Sequence, residues 1–513
     1  MLSKCFGLTA FLPQDNSNSG RLLFRFTILL VGLVWIAGSD VSGDEAKPNI
    51  VLLLCDDLGY GDVQSFNPTN GKIATPNMDR LASEGMMFTD AHSASSVCTP
   101  TRYGILTGRY CWRTKFQKGV VQGFAPCLID EDRPTVASFL KSQGYDTAIV
   151  GKWHLNSRYM NPETGKEYTD GKERKFTPPV GAELPDGPVD RGFDYFFGIQ
   201  HARSMKAIIE QNKVVEHDNV ENFLPRLAKK CTKYIESRSI DSKPFFLYVP
   251  FGSPHTPIVP TKDWVGKSGL GKYADFVMQT DGVVGQILDS IEKQGLTGNT
   301  LVLLASDNGC SRIVGINKLA KQGHKVSGEF RGSKADIWEG GHRVPFIAKW
   351  PGKIEAGSKS EQLICLNDYF ATFANILDVP VPDGSCEDSV SFLAALKGEP
   401  IESPRKGIIH HSISGHFAYR TDNWKLLLAK GSGGWTSPKE NQVADDAPVA
   451  QLYDLESDIG EQSNRYLDQG KIAKQLLAYL EQDVNSGSSA NRASSKNDTN
   501  EIELWKSGTQ EQR

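Results

Sequence analysis

The chain has 513 residues, of which 39% are hydrophobic and 23% are charged, and its formal net charge is -4. This length allows a full-sized core and more than one domain. A balanced, slightly acidic chain lacks the electrostatic footprint of a nucleic-acid-binding protein, so we exclude nucleic acid as a partner. An anionic substrate would have to be held by a local cluster of cations.

The N-terminus has the pattern of an export signal. Arg21 and Arg25 precede an apolar run at residues 26–37, and small residues follow it. This run is shorter than the roughly 20 apolar residues that span a bilayer. We therefore predict that residues 1–43 are a signal peptide or leader, with an uncleaved anchor as the alternative. The protein would be periplasmic, secreted or in another non-cytosolic compartment, and no later stretch is apolar enough for a stable membrane span.

From residue 48 onward, short apolar runs alternate with helical patterns. Runs without polar positions are typical of strands that are buried on both faces. They are residues 49–55, 147–150, 245–249, 300–305 and 344–348. The amphipathic helix patterns are residues 76–84, capped by Thr75, 135–143 and 273–292. This alternation predicts an α/β fold with a large mixed, mainly parallel sheet sandwiched by helices.

The pattern changes beyond about residue 377, where short alternating segments precede one more helix. These segments are residues 407–412, 416–420, 424–429, 451–455 and 471–482. We predict a smaller C-terminal antiparallel sheet with a terminal helix. The chain then divides into the leader, a catalytic domain at 48–377, a small-sheet subdomain at 378–485 and a polar tail at 486–513. The tail is rich in Ser, Asn and charge and is predicted to be disordered.

Polar residues directly follow four of the predicted strands. They are Asp56, Asp57, Lys152, His154, His255, Asp307 and Asn308. The carboxyl ends of strands form the ligand crevice of an open α/β sheet, so we expect these side chains to converge. Taken singly, an Asp pair or an Asp-Asn-Gly sequence is more often a turn. Together, three carboxylates and an amide oxygen suit a hard cation, Ca²⁺ or Mg²⁺.

A second feature is a cysteine placed before a predicted helix. Pro100 suits the first turn of this helix and Gly108 suits its end, so Cys98 would lie at the positive end, where an anion is stabilised. A cysteine in this position is more often a buried apolar residue. The helix alone therefore does not identify a nucleophile.

The nine cysteines do not make a disulfide-dense scaffold in a chain of this length. Cys55 and Cys310 flank the predicted metal ligands without the paired spacing of a zinc site, and we interpret both as packing residues. Cys111 and Cys127 are close enough along the chain to bridge, but the sequence does not decide this pairing.

Several motifs, taken in order, resemble the type I sulfatase family. Residues 98–102 (CTPTR), followed by YGILTGR at 103–109, resemble its C-x-P-x-R signature. In that family, the formylglycine-generating enzyme oxidises this cysteine to formylglycine. The other matching motifs are PNIV at 48–51, DDLGYGD at 56–62, TPNMDRLA at 75–82, GKWHL at 151–155, PHTP at 254–257, SDNG at 306–309, GSK at 332–334, WEGG at 338–341, RVP at 343–345 and LYDL at 452–455. The resemblance covers residues 48–378 and is closest to arylsulfatase A-like members of the alkaline phosphatase superfamily.

The resemblance implies a sulfuric ester hydrolase that cleaves aryl or carbohydrate sulfate monoesters. Hydrated formylglycine (3-oxoalanine) derived from Cys98 would attack sulfur in line and form a covalent sulfo-enzyme, releasing the alcohol and then sulfate. One Ca²⁺, preferred over Mg²⁺, would be bound by Asp56, Asp57, Cys98 in its modified form, Asp307 and Asn308. Arg102 and Lys152 would hold the hydrate. His154 would hydrogen-bond it and act as the base, and Lys152, His255 and Lys334 would bind the substrate.

Two other functions stay open at this stage. Some relatives with a C-x-P-x-R motif cleave phosphoryl esters, although the sequence offers ligands for only one metal. The chain could also be a non-catalytic binding protein if Cys98 stays unmodified, against which the complete set of cations argues. We expect the loops at 156–188 and 311–330 to build the pocket for the alcohol. His201 or Arg203 could shape this pocket, and Ser204 could replace the sulfate-contacting hydroxyl that the resemblance leads us to expect shortly after Gly198. The natural alcohol and the oligomeric state stay undetermined.

Overall fold

The structure is a computed structural model that describes residues 46–168, 177–402, 405–492 and 496–506. The predicted leader, residues 1–43, lies outside the described residues. Across the described part of the chain, every helix is too short or too polar to span a bilayer. The chain from Ala46 onward is a single compact unit, so the C-terminal sheet is a subdomain of one body.

The strands of the described residues agree with the sequence pattern at every predicted apolar run. They are β1 Asn49–Asp56, β2 Met86–Phe88, β3 Ala91–His92, β4 Asp146–Lys152, β5 Tyr195–Ile199, β6 Ala207–Glu210, β7 Lys213–His217, β8 Phe245–Pro254, β9 Thr300–Ser306, β10 Phe346–Lys349, β11 Ser358–Ser360, β12 Ile364–Cys365, β13 Ile408–His411, β14 Phe417–Arg420, β15 Trp424–Leu427 and β16 Gln451–Asp454. The α-helices are α1 Pro76–Ser83, α2 Cys98–Thr107, α3 Val136–Ser142, α4 Phe223–Glu236, α5 Lys272–Lys293, α6 Ile316–Lys321, α7 Glu339–His342, α8 Tyr369–Ile376, α9 Leu393–Leu396 and α10 Gly470–Asn485.

Ten strands form one mixed sheet in the order β11-β2-β10-β9-β1-β8-β4-β5-β6-β7. The five central strands, β9 to β5 in this order, run parallel, whereas β10 and the β6–β7 hairpin are antiparallel to their neighbours. The carboxyl ends of the central strands therefore meet at one edge. This confirms the predicted large, mainly parallel sheet.

The central strand β1 is buried on both faces. Ile50 and Leu52 belong to a core cluster that includes residues of α2, α3 and α8. Val51 and Leu53, which point to the opposite face, belong to a cluster with residues of α1, α4 and α5. Helices therefore cover both faces of the sheet, as the unbroken apolar run predicts.

Two local expectations differ from the structure. Thr75 does not cap α1; its hydroxyl instead accepts a hydrogen bond from the backbone of Gln64. The carboxylate of Asp281 on α5 accepts the backbone N–H groups of Asn77 and Met78, at 3.1 and 2.8 Å. A cap donated by a distant helix leaves no local signal in the sequence. The hairpin of β6 and β7 was also missed, because most of β7 is exposed and has no apolar run.

The C-terminal subdomain consists of the antiparallel sheet β13-β14-β15-β16 and α10, as predicted. Leu476 and Leu480 of α10 pack in a cluster with residues of this sheet. A second cluster contains Leu427 of β15 together with Ile337 and Trp338. The subdomain is therefore attached to the segment that directly follows Lys334.

Composition predicts a disordered tail, but its described parts, residues 486–492 and 496–506, make contacts with the rest of the chain. Asp498 accepts hydrogen bonds from Arg109, and Asn497 accepts one from Arg113, at 2.9 Å. Trp505 is 3% exposed. Composition alone does not reveal that two buried arginines need these partners. Residues 493–495 and 507–513 lie outside the described part.

Three buried histidines lie between β3, α7 and the C-terminal sheet. One ring nitrogen from each of His92, His342 and His410 lies within 4.8 Å of the others. The rings of His342 and His410 are stacked, with centroids 3.7 Å apart and planes 11° apart. An imidazole lone pair lies in the ring plane, so two stacked rings cannot direct their nitrogens at one ion. The cluster is therefore not a metal site.

These histidines instead belong to a chain of hydrogen bonds. Lys425 Nζ lies 3.0 Å from His342 Nε2, and the Nδ1 atoms of His342 and His92 are 3.0 Å apart. His92 Nε2 lies 2.7 Å from Asp90 Oδ1. His342 Nε2 also lies 3.2 Å from the carbonyl of Ile337, but its shorter contact is with Lys425, whose ammonium only donates. We therefore assign His342 as an acceptor at Nε2 and a donor at Nδ1, and His92 then donates to Asp90. This network fastens the C-terminal sheet to the segment that precedes Cys98.

We predict that the protein loses stability as the pH falls below about 6.5. Burial lowers the pKa of His92, His342 and His410, and it lowers the pKa of His411 to about 3. Between pH 6.5 and pH 3 the unfolded chain therefore binds protons at these histidines that the folded chain does not bind. The free energy of unfolding is highest above pH 6.5 and decreases toward pH 3. Denaturant unfolding at several pH values measures this slope.

The variant His411→Gln tests the contribution of a single site. It should reduce the slope of the unfolding free energy against pH by up to about 1.4 kcal/mol per pH unit, which corresponds to one proton fewer taken up on unfolding. An identical slope in the wild type and in His411→Gln would contradict the prediction.

Candidate active site

The site lies at the carboxyl edge of the central strands. Asp56 ends β1, Asp307 follows β9, Lys152 ends β4, and His255 follows β8. These four strands are neighbours in the sheet, in the order β9-β1-β8-β4. Cys98 begins α2 at the same place. The structure therefore brings the predicted residues together.

Two buried carboxylates are paired with two buried cations. Lys152 Nζ lies 2.7 Å from Asp56 Oδ2, and Arg102 Nη2 lies 2.7 Å from Asp307 Oδ2; all four side chains are 0% exposed. Burial acts to raise the pKa of Asp56, but Lys152, His255 and Arg102 outweigh it and hold this pKa well below its ordinary value. Burial and the neighbouring Asp56 raise the pKa of Asp307 to about 6. Placing the cations beside these acids is thus what keeps Asp56 charged.

The third carboxylate has its own set of partners. Lys334 Nζ lies 2.5 Å from Asp57 Oδ1, and the Asn308 amide donates to the same oxygen at 2.7 Å. His255 Nε2 lies 3.6 Å from Asp57 Oδ2. Asp57 thus contacts three further predicted residues, Lys334, Asn308 and His255.

The backbone is strained at several of these positions. Asp57, His154 and Ala335, the neighbour of Lys334, have φ values of 65°, 59° and 81°. This region costs a non-glycine residue of the order of 1–3 kcal/mol and persists only where the surroundings impose it. Such strain often accumulates at functional sites, which supports a functional interpretation of this edge.

The arrangement fits a hard cation. Asp56 Oδ1 and Asn308 Oδ1 are buried and, among the described residues, have no hydrogen-bond partner. Asp56, Cys98 and Asp307 each offer a ligand atom within 4.8 Å of the others. Unsatisfied buried oxygens are costly, and oxygen ligands are those that Ca²⁺ and Mg²⁺ prefer.

Cys98 is the first residue of α2 and lies at its positive end, as predicted, although the sequence placed it before the helix; Gly108 ends the helix with a left-handed φ of 66°. The thiol is 2% exposed and free. Burial raises its pKa, although Lys152 and Lys334 act to lower it. The cysteine therefore stays a neutral thiol rather than an anion. Cys111 and Cys127 are also free, so the bridge that the sequence left open does not form.

His154 offers a basic nitrogen to this site. Its Nε2 lies 3.2 Å from the carbonyl of Val121, whereas its buried Nδ1 has no partner among the described residues. Burial and Lys152 hold the pKa of His154 well below its ordinary value. The neutral imidazole therefore donates from Nε2 and keeps a lone pair on Nδ1. The hydroxyl of Thr99, the residue after Cys98, donates a hydrogen bond to the carbonyl of His154 at 3.2 Å.

The residues considered for the substrate pocket differ in their surroundings. The ring of His201 lies 5.6 Å from that of His154, centroid to centroid. The Ser204 hydroxyl donates to the His201 carbonyl at 3.2 Å and is buried. The side chain of Arg203 lies outside the described atoms.

Sequence reasoning assigned no role to a buried triad behind the Asp57 turn. Asp62 accepts hydrogen bonds from the backbone of Gly59 and from His324, each at 2.7 Å, and from the Tyr273 hydroxyl. Asp62 lies in the DDLGYGD motif, but its two side-chain partners come from distant parts of the chain. This triad holds the turn that carries Asp57.

Close backbone contacts join the loops of the site. The amide of Ala335 donates to the carbonyl of Ser96 at 2.8 Å, which fastens the Lys334 loop to the start of α2. The amide of Gly309 donates to Gly341 at 2.9 Å. A Cβ atom at Gly309 would lie 1.9 Å from the carbonyl oxygen of Gly340, so only glycine fits there.

We predict that Lys334→Met destabilises the protein. The substitution leaves Asp57, 2% exposed, without its ammonium partner. Breaking a buried ion pair from one side costs about 3–5 kcal/mol, which denaturant unfolding in a chelator measures. Lys359→Met, on the exposed surface of β11, should change stability by less than about 0.5 kcal/mol. Equal effects of the two substitutions would contradict the pairing.

Comparison with known proteins agrees with the site. The sulfatase family profile matches residues 48–379. The N-acetylgalactosamine-6-O-sulfatase of Bacteroides thetaiotaomicron is 29% identical and aligns over 89% of this chain and 98% of its own. The N-acetylgalactosamine-6-sulfatase of Mus musculus is 32% identical over 71% of this chain and 69% of its own.

Solved structures show the same architecture. One from a study of glycosaminoglycan metabolism by Bacteroides thetaiotaomicron superposes with a TM-score of 0.74 at 27% identity, covering 86% of this chain and 99% of that one. The family match spans most of the chain and contains all of the ordered motifs except LYDL at 452–455. It confirms the resemblance, and the chain belongs to the sulfatase family of sulfuric ester hydrolases.

Proposed function

We propose that this protein is an exported sulfatase that hydrolyses carbohydrate sulfate esters with a nucleophile made from Cys98. The observation that carries the proposal is the position of Cys98 among three buried carboxylates and the cations Arg102, Lys152 and Lys334. Positive charge beside a helix N-terminus suits a sulfate group that must be held and polarised.

The thiol itself is poorly suited to the reaction. Its raised pKa keeps it neutral, and a thiosulfate ester would offer no easy route to release sulfate. When Cys98 is oxidised to formylglycine, the aldehyde hydrate supplies two hydroxyls on one carbon, one to displace the alcohol from sulfur and one whose deprotonation releases sulfate.

The residues around position 98 divide the remaining work. His154 takes up a proton at Nδ1, the lone pair that its neutral state leaves free. Arg102 and Lys152 orient the hydrate and offset negative charge. His255 and Lys334 bind the sulfate near the leaving oxygen, and either can supply its proton. Removal of one such electrostatic donor lowers kcat by about 100-fold or more.

We further propose that Asp56, Asp57, Asp307, Asn308 and the modified residue 98 bind one Ca²⁺. The unpartnered oxygens of Asp56 and Asn308 support this assignment. The ion would supply Lewis acidity and would offset the charge that develops on the sulfate oxygens.

The substrate class is supported by the relatives. The two relatives named above, from Bacteroides thetaiotaomicron and Mus musculus, are sulfatases of N-acetylgalactosamine by name, and a solved structure of similar fold comes from a study of glycosaminoglycan metabolism. Sulfated polysaccharides occur outside cells, in agreement with the predicted leader. We therefore propose a sulfated hexosamine or a related sugar as the substrate.

The proposed function predicts a specific chemical change at residue 98. Protein produced together with a formylglycine-generating enzyme should yield a tryptic peptide 81–102 that is lighter than the thiol peptide by about 18 Da, as conversion of the thiol to an aldehyde requires. The same sample should hydrolyse an aryl sulfate and a sugar sulfate much faster than the matching phosphate esters. Cys98→Ala should be inactive. Full activity with an unmodified thiol would refute the mechanism, and faster phosphate hydrolysis would refute the substrate class.

The proposed Ca²⁺ site predicts that the metal stabilises the folded protein. Ca²⁺ added to chelator-treated protein should raise Tm, because a ligand at 100 times its Kd stabilises the folded state by about 2.7 kcal/mol. Asp57→Asn should lose most of this gain. Asp263→Asn, at an exposed position, should keep it. A wild-type Tm that does not respond to Ca²⁺ would exclude the assignment, and a larger response to Mg²⁺ would change the ion.

A further inference from the structure

A loop of the C-terminal subdomain, residues 431–438, reaches the active-site edge. It follows β15 and is shaped by Glu440, whose carboxylate accepts the backbone N–H groups of Lys430, Gly431 and Gly433 at 2.8, 2.9 and 3.2 Å. Three hydrogen bonds to one carboxylate give this loop a defined conformation.

The loop is fastened directly to the segment that carries Lys334. Asp336, which is 0% exposed, accepts the N–H groups of Trp435 and Thr436 at 2.8 and 2.9 Å. Gly434 packs against Ala335 so closely that a Cβ atom would lie 2.3 Å from the Ala335 carbonyl oxygen. Gly434 and Trp435 therefore contact Ala335 and Asp336, the two residues that follow Lys334.

A second contact ties Trp435 to the other side of the site. The guanidinium of Arg312 donates to the carbonyl of Trp435. Arg312 follows Asn308, the proposed metal ligand, by four positions. Trp435 is thus held between the segment that begins at Asn308 and the segment that begins at Lys334, on the rim of the site.

The side chain of Trp435 has the features of a contact surface for a ligand. It is half-buried, whereas Trp112, Trp153 and Trp338 are at most 2% exposed. Within the residues that the structure describes, its ring stacks on no aromatic ring and its Nε1 has no acceptor. Ile313, beside Arg312, is 66% exposed. An unpartnered tryptophan and an exposed isoleucine on the rim of a polar site provide apolar area for a ring to cover.

We propose that Trp435 and Ile313 form the binding site for the alcohol part of the substrate, a pyranose ring that carries the sulfate. Lys334 is assigned to the side of the leaving oxygen, so the sugar extends from the sulfate past Lys334 toward this rim. The C–H face of a pyranose is apolar and packs on an indole, while its hydroxyls stay in water. The proposal rests on the proposed sulfatase function.

This assignment changes the expected origin of the pocket. In this proposal the loop at 311–330, one of the two loops predicted to build the pocket, contributes Arg312 and Ile313. The loop at 431–438 was not expected, because only the tertiary fold brings it to the Lys334 segment.

The test compares Trp435→Ala and Trp435→Phe with the matured wild type, using N-acetylgalactosamine 6-sulfate as the substrate. Trp435→Ala should lower kcat/KM by about tenfold, a loss of about 1.4 kcal/mol, mainly through KM. Trp435→Phe keeps an aromatic ring and should retain most of the activity. The inhibition constant of inorganic sulfate should not change, because sulfate does not reach the rim. Trp424→Ala, at the far end of β15, is the control and should keep the wild-type KM.

The outcomes separate the two proposals. A matured wild type that hydrolyses no sulfate ester would refute the proposed function, whatever the variants do. An active wild type with an unchanged KM in Trp435→Ala would overturn the sugar site alone. A parallel rise in KM and in the inhibition constant of sulfate would also overturn it, since Trp435 would then act by holding Lys334 rather than by contacting the alcohol.

Discussion

Neutralising three buried carboxylates at one edge of the sheet is the constraint on which the rest of the structure depends. Asp56, Asp57 and Asp307 are at most 2% exposed, and a carboxylate buried without a partner would cost several kcal/mol. Their cations come from three different elements: α2, β4 and the loop before α7. The fold must therefore bring all three elements to the ends of β1 and β9.

The same constraint explains the tight packing around the site. In the Lys334 loop, Ala335 adopts a left-handed backbone, and glycines let the neighbouring loops approach closely. The C-terminal subdomain supports this loop from behind, through Ile337 and Trp338 in the core and through the network around Lys425. The packing of the subdomain and the position of the Lys334 loop are therefore coupled.

The sequence was most informative where a local pattern decides the structure. The unbroken apolar runs predicted four of the five central strands, all but β5, and Pro100 and Gly108 predicted a helix that the structure extends back to Cys98. Local patterns failed where the partner is distant. Asp281, rather than Thr75, caps α1, and two buried arginines order much of a tail whose composition predicts disorder.

By itself the sequence determined the class of fold, the position of Cys98 at a helix N-terminus, and the set of residues at the strand ends. Only the tertiary structure decided which cation neutralises which carboxylate, which nitrogen of His154 is free, and that residues 431–438 reach the site. The physical reason is separation along the chain. Lys334 and Asp57 are 277 positions apart, and Arg102 and Asp307 are 205 apart. No local pattern encodes contacts that a folded sheet alone brings together.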